Sequence, residues 1–176
     1  IVQIVAMFFT AFIIKKIGKR NMLILGAIIY GLGFAMFAFV GTSYIGIMIA
    51  SGLKGVGNAG ISSCMFAIVS DTIEYGEWKT GYRTEGLINS ASSFGFKVGN
   101  GLGSAMLGWI LALGGYAEKA VAQSASALTA INALFIYIPV LAAVLIVAIM
   151  CFYKLDKEYD GIVTDLKEGR GVADND

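Results

Sequence analysis

Apolar residues form long blocks along this chain, and short polar stretches separate the blocks. Neither residues 21–53 nor residues 120–153 contain an Asp, Glu, Lys or Arg. Roughly 20 apolar residues suffice to cross about 30 Å of hydrocarbon, so blocks of this length predict membrane-spanning helices. We therefore expect an all-α integral membrane protein with about five transmembrane helices. The predicted helices cover residues 1–14, 21–40, 44–70, 87–113 and 132–153.

The first block is shorter than the others. As a helix, residues 1–14 would be only about 21 Å long at 1.5 Å per residue, which is too short to span a bilayer alone. We expect it to be the end of a truncated helix. Because the chain also lacks an initiator Met, we expect the sequence to be a fragment of a longer polypeptide. Pro139 lies inside the last predicted helix, where it should produce a kink.

Composition supports the membrane assignment and narrows the function. Of the 176 residues, 57% are hydrophobic and 14% are charged, whereas about 25% are charged in soluble domains. The net charge of +1 provides no field for binding nucleic acid. The sequence has no histidine and no paired cysteine motif, which removes the commonest general base and metal ligands. We expect neither an enzyme nor a metal site, and no cofactor.

The positions of lysine and arginine predict the orientation, because loops on the cytoplasmic side of a membrane are enriched in both residues. Ten of the thirteen fall on one side of the predicted helices and one, Lys119, falls on the other, while Lys54 and Lys97 lie inside helices. This distribution predicts that residues 70–86 and the tail, residues 154–176, lie on the cytoplasmic side of a plasma or inner membrane. The tail mixes both signs of charge and is too short for a domain, so we expect it to be solvated and partly disordered.

The helix predicted at 87–113 has a polar side and a glycine side. At about 100° per residue, four polar residues fall close to Lys97 around the helix and three glycines fall opposite. The polar residues are Ser90, Ser93, Asn100 and Ser104, and the glycines are Gly95, Gly99 and Gly103. A lysine near mid-bilayer costs at least about 2.5–3.5 kcal/mol, and Lys97 is about 15 Å from the helix end. We expect Lys97 to face a watery cavity or a carboxylate, and the glycines to pack closely on another helix.

The helix predicted at 44–70 has a similar polar face, formed by Ser51, Lys54, Asn58 and Ser62. Two interpretations of Lys54 stay open, a functional cavity residue and a residue that packs or extends to the interface. The sequence GVGNAG at 55–60 has the glycine spacing of a dinucleotide site but not the preceding strand that such a site requires. We expect its glycines to let helices approach closely and flex.

The segment SDTIEYGEWKTGYRTEG, residues 70–86, concentrates charge between two apolar helices. This charged segment contains four acids and two bases, Asp71, Glu74, Glu77, Glu85, Lys79 and Arg83. One interpretation is a solvated loop whose ion pairs each contribute about 0–1 kcal/mol. The other is a set of gate charges that hold one conformation and release in another. No Asp or Glu lies inside a predicted span, so carboxylates that bind a coupling ion would lie outside this chain.

Three stretches carry a resemblance to a transporter family. DTIEYGEWKTGYRTEG is followed by a helix with FGFKVGN near its middle, and QSASALTAI at 123–131 and FYKLDKEYDGI at 152–162 come later. Together they resemble the glycoside–pentoside–hexuronide:cation symporters, the melibiose-carrier-like branch of the major facilitator superfamily. The resemblance covers about residues 15–165.

This resemblance implies a fold and roles for particular residues. Members of the family have twelve helices in two six-helix bundles, so this chain would be most of the C-terminal bundle and the N-terminal bundle its partner. Lys97 matches the family's lysine near the sugar and cation sites. Ser92 and Ser93 stand where melibiose-type members often have Gln-Thr, which leaves the identity of the sugar open. In the family, charged residues of this segment help to close the cytoplasmic gate. The residues that match them in this chain are Asp71, Glu74, Glu77, Arg83 and Glu85.

The resemblance thus implies cation-coupled symport of a sugar by alternating access. The coupling cation, Na⁺, H⁺ or Li⁺, would be bound by acids of the N-terminal half. The substrate and coupling cavity would contain Lys97, Ser92, Ser93, Asn100, Lys54 and Asn58, and Lys79 would join the gate charges. Two alternatives remain, a non-transporting truncated remnant or scaffold and a facilitator that moves sugar without a cation. A membrane enzyme is disfavoured because the chain has no nucleophile–base pair.

Overall fold

The computed structural model of this chain describes residues 1–118, 120 and 122–169. The described residues form helices joined by short turns, without a β-strand, which confirms the all-α prediction. A π-helical turn, Ala133–Tyr137, joins α5 to α6, and a 3₁₀ turn, Leu155–Lys157, precedes α7. The helices are α1 Val2–Ile17, α2 Lys19–Val40, α3 Tyr44–Thr80, α4 Glu85–Leu113, α5 Ala125–Asn132, α6 Ile138–Phe152 and α7 Tyr159–Lys167.

Three helical stretches in the described part of the chain are long and apolar enough to cross a membrane, namely α2, α3 and the continuous run from α5 through α6. Helix α4 is long enough, with 29 residues, but its serines, glycines, Asn100 and Lys97 make it more polar. Helix α1 has 16 residues, fewer than a complete span requires. The chain is therefore a multi-pass membrane protein.

Helix α2 lies at the centre of the bundle, where it packs against α1, α3 and α6. Glycines bring α2 and α3 into backbone contact. A Cβ atom at Gly33 would lie 2.7 Å from the backbone nitrogen of Lys54, and one at Gly57 would collide with the backbone of Tyr30. Close approach of this kind requires small residues at the contact in membrane helices. The prediction that GVGNAG allows close helix packing is thus confirmed at Gly57 and Gly60, both of which are buried against α2.

Helix α3 continues well beyond the predicted boundary at residue 70. Its 37 residues give a length of about 55 Å at 1.5 Å per residue, which exceeds the hydrocarbon thickness of about 30 Å. The expectation that the whole charged segment is a loop is therefore wrong, because residues 71–80 are helical. The helix ends at Gly81, whose left-handed conformation, φ +72°, is typical of a glycine helix stop. Only residues 81–84 separate α3 from α4.

The tail also contains more structure than its composition indicated. Residues Tyr159–Lys167 form α7, which packs against α3. Ile162 of α7 is buried, with only 3% of its surface exposed. The expectation of a solvated, partly disordered tail is wrong for this part, because α7 has an apolar residue to bury. Residues 170–176 and Lys119, the lone lysine predicted on the extracellular side, lie outside the described residues.

Candidate functional site

Lys97 lies on α4, the helix that is least packed against the rest of the chain. Helix α4 is described in full, and none of its residues is buried. Lys97 lines an open groove of about 380 Å³ together with Asn89, Ser90, Ser93 and Phe94. Its ammonium forms no ion pair with any residue that the structure describes. The groove therefore combines an unpaired cation with hydroxyl and amide groups that can bind a polar ligand.

Two other predicted cavity residues lie on the adjoining side of α4. Ser92 and Asn100 line a second groove of about 350 Å³, together with Gly95, Phe96, Gly99 and Met65 of α3. Phe66 of α3 and Phe96 stack with ring centroids 6.3 Å apart. Ser92 and Asn100 thus lie on the side of α4 that is nearer to α3, whereas Ser93 and Lys97 share the open groove.

The glycines of α4 make no close packing contact within the described part of the chain. No described atom lies within 4 Å of the position that a Cβ atom would occupy at Gly95, Gly99 or Gly103. Close packing of this ladder on another helix stays a prediction.

Lys54 lies against α2 and is not among the residues that line the Lys97 groove. Its side chain is half-buried, and its Nζ atom lies over the ring of Phe34 at 5.2 Å from the centroid. Phe34 belongs to an aromatic cluster with Tyr30, Phe37 and Phe135. A cation held over an aromatic ring favours the packing interpretation of Lys54. Asn58 is also half-buried, one turn further along α3.

The acids of the charged segment have partners within the chain, and Asp71 is the most buried of these acids. Asp71 is 1% exposed. Its carboxylate accepts two hydrogen bonds from Lys19 Nζ, at 2.6 Å to Oδ1 and 2.8 Å to Oδ2. Lys19 begins α2, so this ion pair joins the start of α2 to the end of α3. We refer to the end of the helices where Lys19, Asp71 and Tyr159 meet as the charged end.

Tyr159 of α7 connects Lys19 to a second acid. Lys19 Nζ lies 4.1 Å from the centroid of the Tyr159 ring, and the Tyr159 hydroxyl donates a 2.5 Å hydrogen bond to Glu74 Oε2. Burial and the hydrogen bond to Glu74 raise the pKa of Tyr159 above its ordinary value. The hydroxyl therefore remains protonated, and remains a donor, throughout the physiological pH range.

The remaining charges of the segment lie at the connection between α3 and α4. Arg83 donates to Glu77 at 2.7 Å and to Glu85 at 3.2 Å. These acids raise the pKa of Arg83, with Glu77 the stronger contributor. Lys79 is exposed, and its Nζ atom lies 3.3 Å from the hydroxyl of Tyr75. Arg83 thus holds the end of α3 to the start of α4.

A reciprocal pair of side chains caps two helix ends at the charged end. Asp156 accepts hydrogen bonds from the backbone nitrogens of Lys19 and Arg20, both at 3.3 Å, at the start of α2. Arg20 donates to the carbonyl oxygens of Met150 and Cys151, both at 2.8 Å, at the end of α6. Each charge lies at the helix end whose dipole it complements.

Sequence reasoning did not single out Lys19, Arg20, Asp156 and Tyr159. A signal was present, since the basic run KKIGKR and the stretch FYKLDKEYDGI both lie at predicted cytoplasmic helix ends. Their partners are more than 50 residues away along the chain, and only the packing of the helices reveals the pairing.

Comparison with known proteins decides the family. The family model described as "MFS/sugar transport protein" matches residues 1–157. This chain belongs to the MFS/sugar transport family. The family resemblance inferred from the charged segment and the Lys97 helix is thereby confirmed.

Relatives within the family show how much of a carrier this chain represents. The chain is 33% identical to the isoprimeverose transporter of Lactiplantibacillus pentosus over 171 residues, which cover 96% of this chain and 35% of the relative. It is 31% identical to the glucuronide carrier protein homolog of Escherichia coli K12 over 161 residues, which cover 90% of this chain and 35% of that relative. It is 33% identical to an uncharacterized symporter of Bacillus subtilis over 153 residues, which cover 86% of this chain and 33% of that relative. The chain thus spans about a third of the length of these relatives. No solved structure matches it.

Proposed function

We propose that this chain is the C-terminal half of a sugar carrier that performs cation-coupled symport by alternating access. The observation that carries the proposal is the groove on α4, where the Lys97 ammonium lies among serine and asparagine side chains and has no carboxylate partner in the described chain. The names of two relatives, a transporter of isoprimeverose and a glucuronide carrier homolog, support a sugar or a sugar acid as the substrate.

The groove suits a sugar for a physical reason. Sugars present many hydroxyl groups, which hydroxyl and amide side chains such as Ser90, Ser93 and Asn89 can bind as donors and acceptors. The groove is lined by α4 alone and is largely open, so other helices would have to enclose a bound sugar. In a two-bundle carrier the N-terminal bundle provides such helices, and the substrate site lies at the interface near the bilayer midplane.

Lys97 would couple occupancy of this site to closure. An unpaired ammonium near mid-bilayer is costly, so it favours a conformation in which carboxylates of the N-terminal half approach it. Binding of sugar and of Na⁺, H⁺ or Li⁺ would neutralise those carboxylates and lower the cost of moving the charged groups as the bundles rock. The cation ligands would lie in the N-terminal half, and no further cofactor is needed.

The protein would lie in the plasma or inner membrane. Its charged end would face the cytoplasm and form the cytoplasmic gate. In this conformation Asp71, Glu74, Glu77 and Glu85 all have partners in the same chain. Gate closure against the N-terminal bundle would therefore exchange some of these partners rather than engage free charges.

The test is gradient-driven uptake of isoprimeverose and of a glucuronide by the intact protein and its Lys97→Ala variant. We expect the variant to lose cation-driven accumulation, with exchange of sugar across the membrane less affected. Lys54→Ala is the matched comparison, since it removes the other intramembrane ammonium; we expect it to reduce protein stability and not coupling. Normal gradient-driven accumulation by Lys97→Ala would refute the coupling role.

Two alternatives give different results in the same assay. An uncoupled facilitator would equilibrate the sugar at the same rate with and without Na⁺ or H⁺ gradients. A non-transporting remnant or scaffold would take up neither sugar above the background of cells that lack the protein.

A further inference from the structure

Tail helix α7 makes three kinds of contact with the rest of the charged end. Tyr159 donates to Glu74, and Trp78 Nε1 donates to Asp165 Oδ2 at 3.2 Å. Between these two polar contacts, Ile162 is almost completely buried. Tyr159, Ile162 and Asp165 recur every third residue, which places them within about 120° of one another around the helix. The tail is thus docked on the extension of α3 by one continuous face.

Tyr159 is the residue of this face that joins three helices. Its ring lies beneath the Lys19 ammonium of α2, its hydroxyl binds Glu74 of α3, and its backbone belongs to α7. Lys19 in turn binds Asp71, one turn before Glu74 on α3.

Glu74 differs from the other acids of the charged segment in the charge of its partner. Asp71 pairs with Lys19, and Glu77 and Glu85 pair with Arg83. Glu74 instead accepts from a neutral phenol hydroxyl. This bond is charge-assisted through the carboxylate, but it brings no positive charge to Glu74, which forms no ion pair with any described residue. A cation that approached from another part of the protein would therefore be attracted to Glu74, and could replace the tyrosine hydroxyl as its partner.

We propose that Tyr159 is a positioning residue for the gate: it holds Glu74 on α7, so docking of the tail competes with closure of the charged end. Release of α7 frees Glu74 for a cationic partner across the gate, and closure of the gate displaces α7. This inference rests on the proposed function, because it requires a second bundle that closes against the charged end.

The first experiment separates the hydroxyl from the ring. Tyr159→Phe keeps the ring beneath Lys19 and removes the hydrogen bond to Glu74. Tyr153→Phe is the matched control, since the Tyr153 hydroxyl is buried at the same end and forms no hydrogen bond with the described residues. In the intact purified protein, we expect amide exchange in residues 159–167 to rise at least about five-fold in Tyr159→Phe and to stay within about two-fold of the parent protein in Tyr153→Phe.

The second experiment measures access to the groove from the charged end. A Ser93→Cys probe, in a background with Cys64 and Cys151 replaced by serine, is labelled with a membrane-impermeant maleimide in inside-out vesicles. We expect Tyr159→Phe to slow labelling at least about two-fold and Tyr153→Phe to leave it unchanged. In a Glu74→Gln background, Tyr159→Phe should have no further effect on labelling.

The outcomes distinguish this inference from the proposed function. Unchanged labelling despite faster exchange of α7 would overturn the inference, because the tail would then be docked without influence on the gate. Slower labelling in Tyr153→Phe, or an undiminished Tyr159→Phe effect without Glu74, would also overturn it. Failure of the parent protein to take up either sugar would overturn the proposed function instead, and the labelling result would still report on the gate.

Discussion

Removal of the Lys19 ammonium should destabilise the protein through the carboxylate that it leaves behind. The side chain of Asp71 is 2% exposed and that of Lys19 is 23% exposed. Lys19→Met keeps most of the apolar stem and removes both hydrogen bonds to Asp71. The Asp71 carboxylate would then be buried without a countercharge, although Lys19 lies close enough to the surface for water to enter after the change.

The expected magnitude follows from this burial. Breaking a fully buried ion pair by removing one partner costs about 3–5 kcal/mol, whereas an exposed pair contributes about 0–1 kcal/mol. Because Lys19 is partly exposed, we expect about 2–4 kcal/mol, between these two cases and closer to the first. At about 2–4 °C per kcal/mol for a chain of this size, the melting temperature should fall by at least about 4 °C.

The assay is thermal unfolding of the purified protein in detergent, followed by tryptophan fluorescence. Lys16→Met is the control, since Lys16 is an exposed lysine on the neighbouring turn and should change the melting temperature by less than about 2 °C. The double variant Lys19→Met/Asp71→Leu removes both charges and should recover most of the loss. A decrease in Lys19→Met no larger than that in Lys16→Met would refute the argument that Asp71 depends on this ammonium.

Two further predictions concern helix packing and the exposed charges. Gly57→Ala should destabilise the protein by about 1–3 kcal/mol, because any side chain would collide with the Tyr30 backbone. In the same unfolding assay, Gly99→Ala should cost less, because nothing in the described chain lies near that position. An equal loss of stability would show that another helix covers the glycines of α4. Arg83→Gln should lower stability by no more than about 1 kcal/mol per lost ion pair, and the stability difference from the parent protein should disappear at high salt. A large loss of stability that does not depend on salt would contradict the exposed geometry of these ion pairs.

The extent to which the sequence predicted the helices depends on what ends each helix. Helix α2 was predicted within two residues at its start and at the same residue at its end, because apolar composition changes sharply at KKIGKR and at GTS. The end of α3 was missed by ten residues because charge marks where a helix leaves hydrocarbon, not where its hydrogen bonding stops. Gly81 provided the correct signal, since glycine favours the left-handed conformation that ends a helix.

The candidate site was predictable to the extent that it depends on one helix. Helical periodicity placed Lys97, Ser90 and Ser93 together, and the structure gives them a common groove. Lys54 also lies on a polar helix face, but periodicity cannot show which neighbouring helix that face meets, and here it meets Phe34 of α2. The contacts of Asp71 and Glu74 with Lys19 and Tyr159 join residues that are 52 and 85 positions apart, and such contacts require the three-dimensional packing.

Cation coupling through Lys97 can be measured directly as sugar accumulation by the intact protein in membrane vesicles, with imposed Na⁺ or H⁺ gradients and with the gradients dissipated. We expect accumulation above the equilibrium level in the presence of one of these gradients. This accumulation should disappear when the gradient is dissipated, and it should be lost in Lys97→Ala. Accumulation that is indifferent to both gradients, or that survives the loss of Lys97, would show that the protein is not a symporter coupled through this lysine.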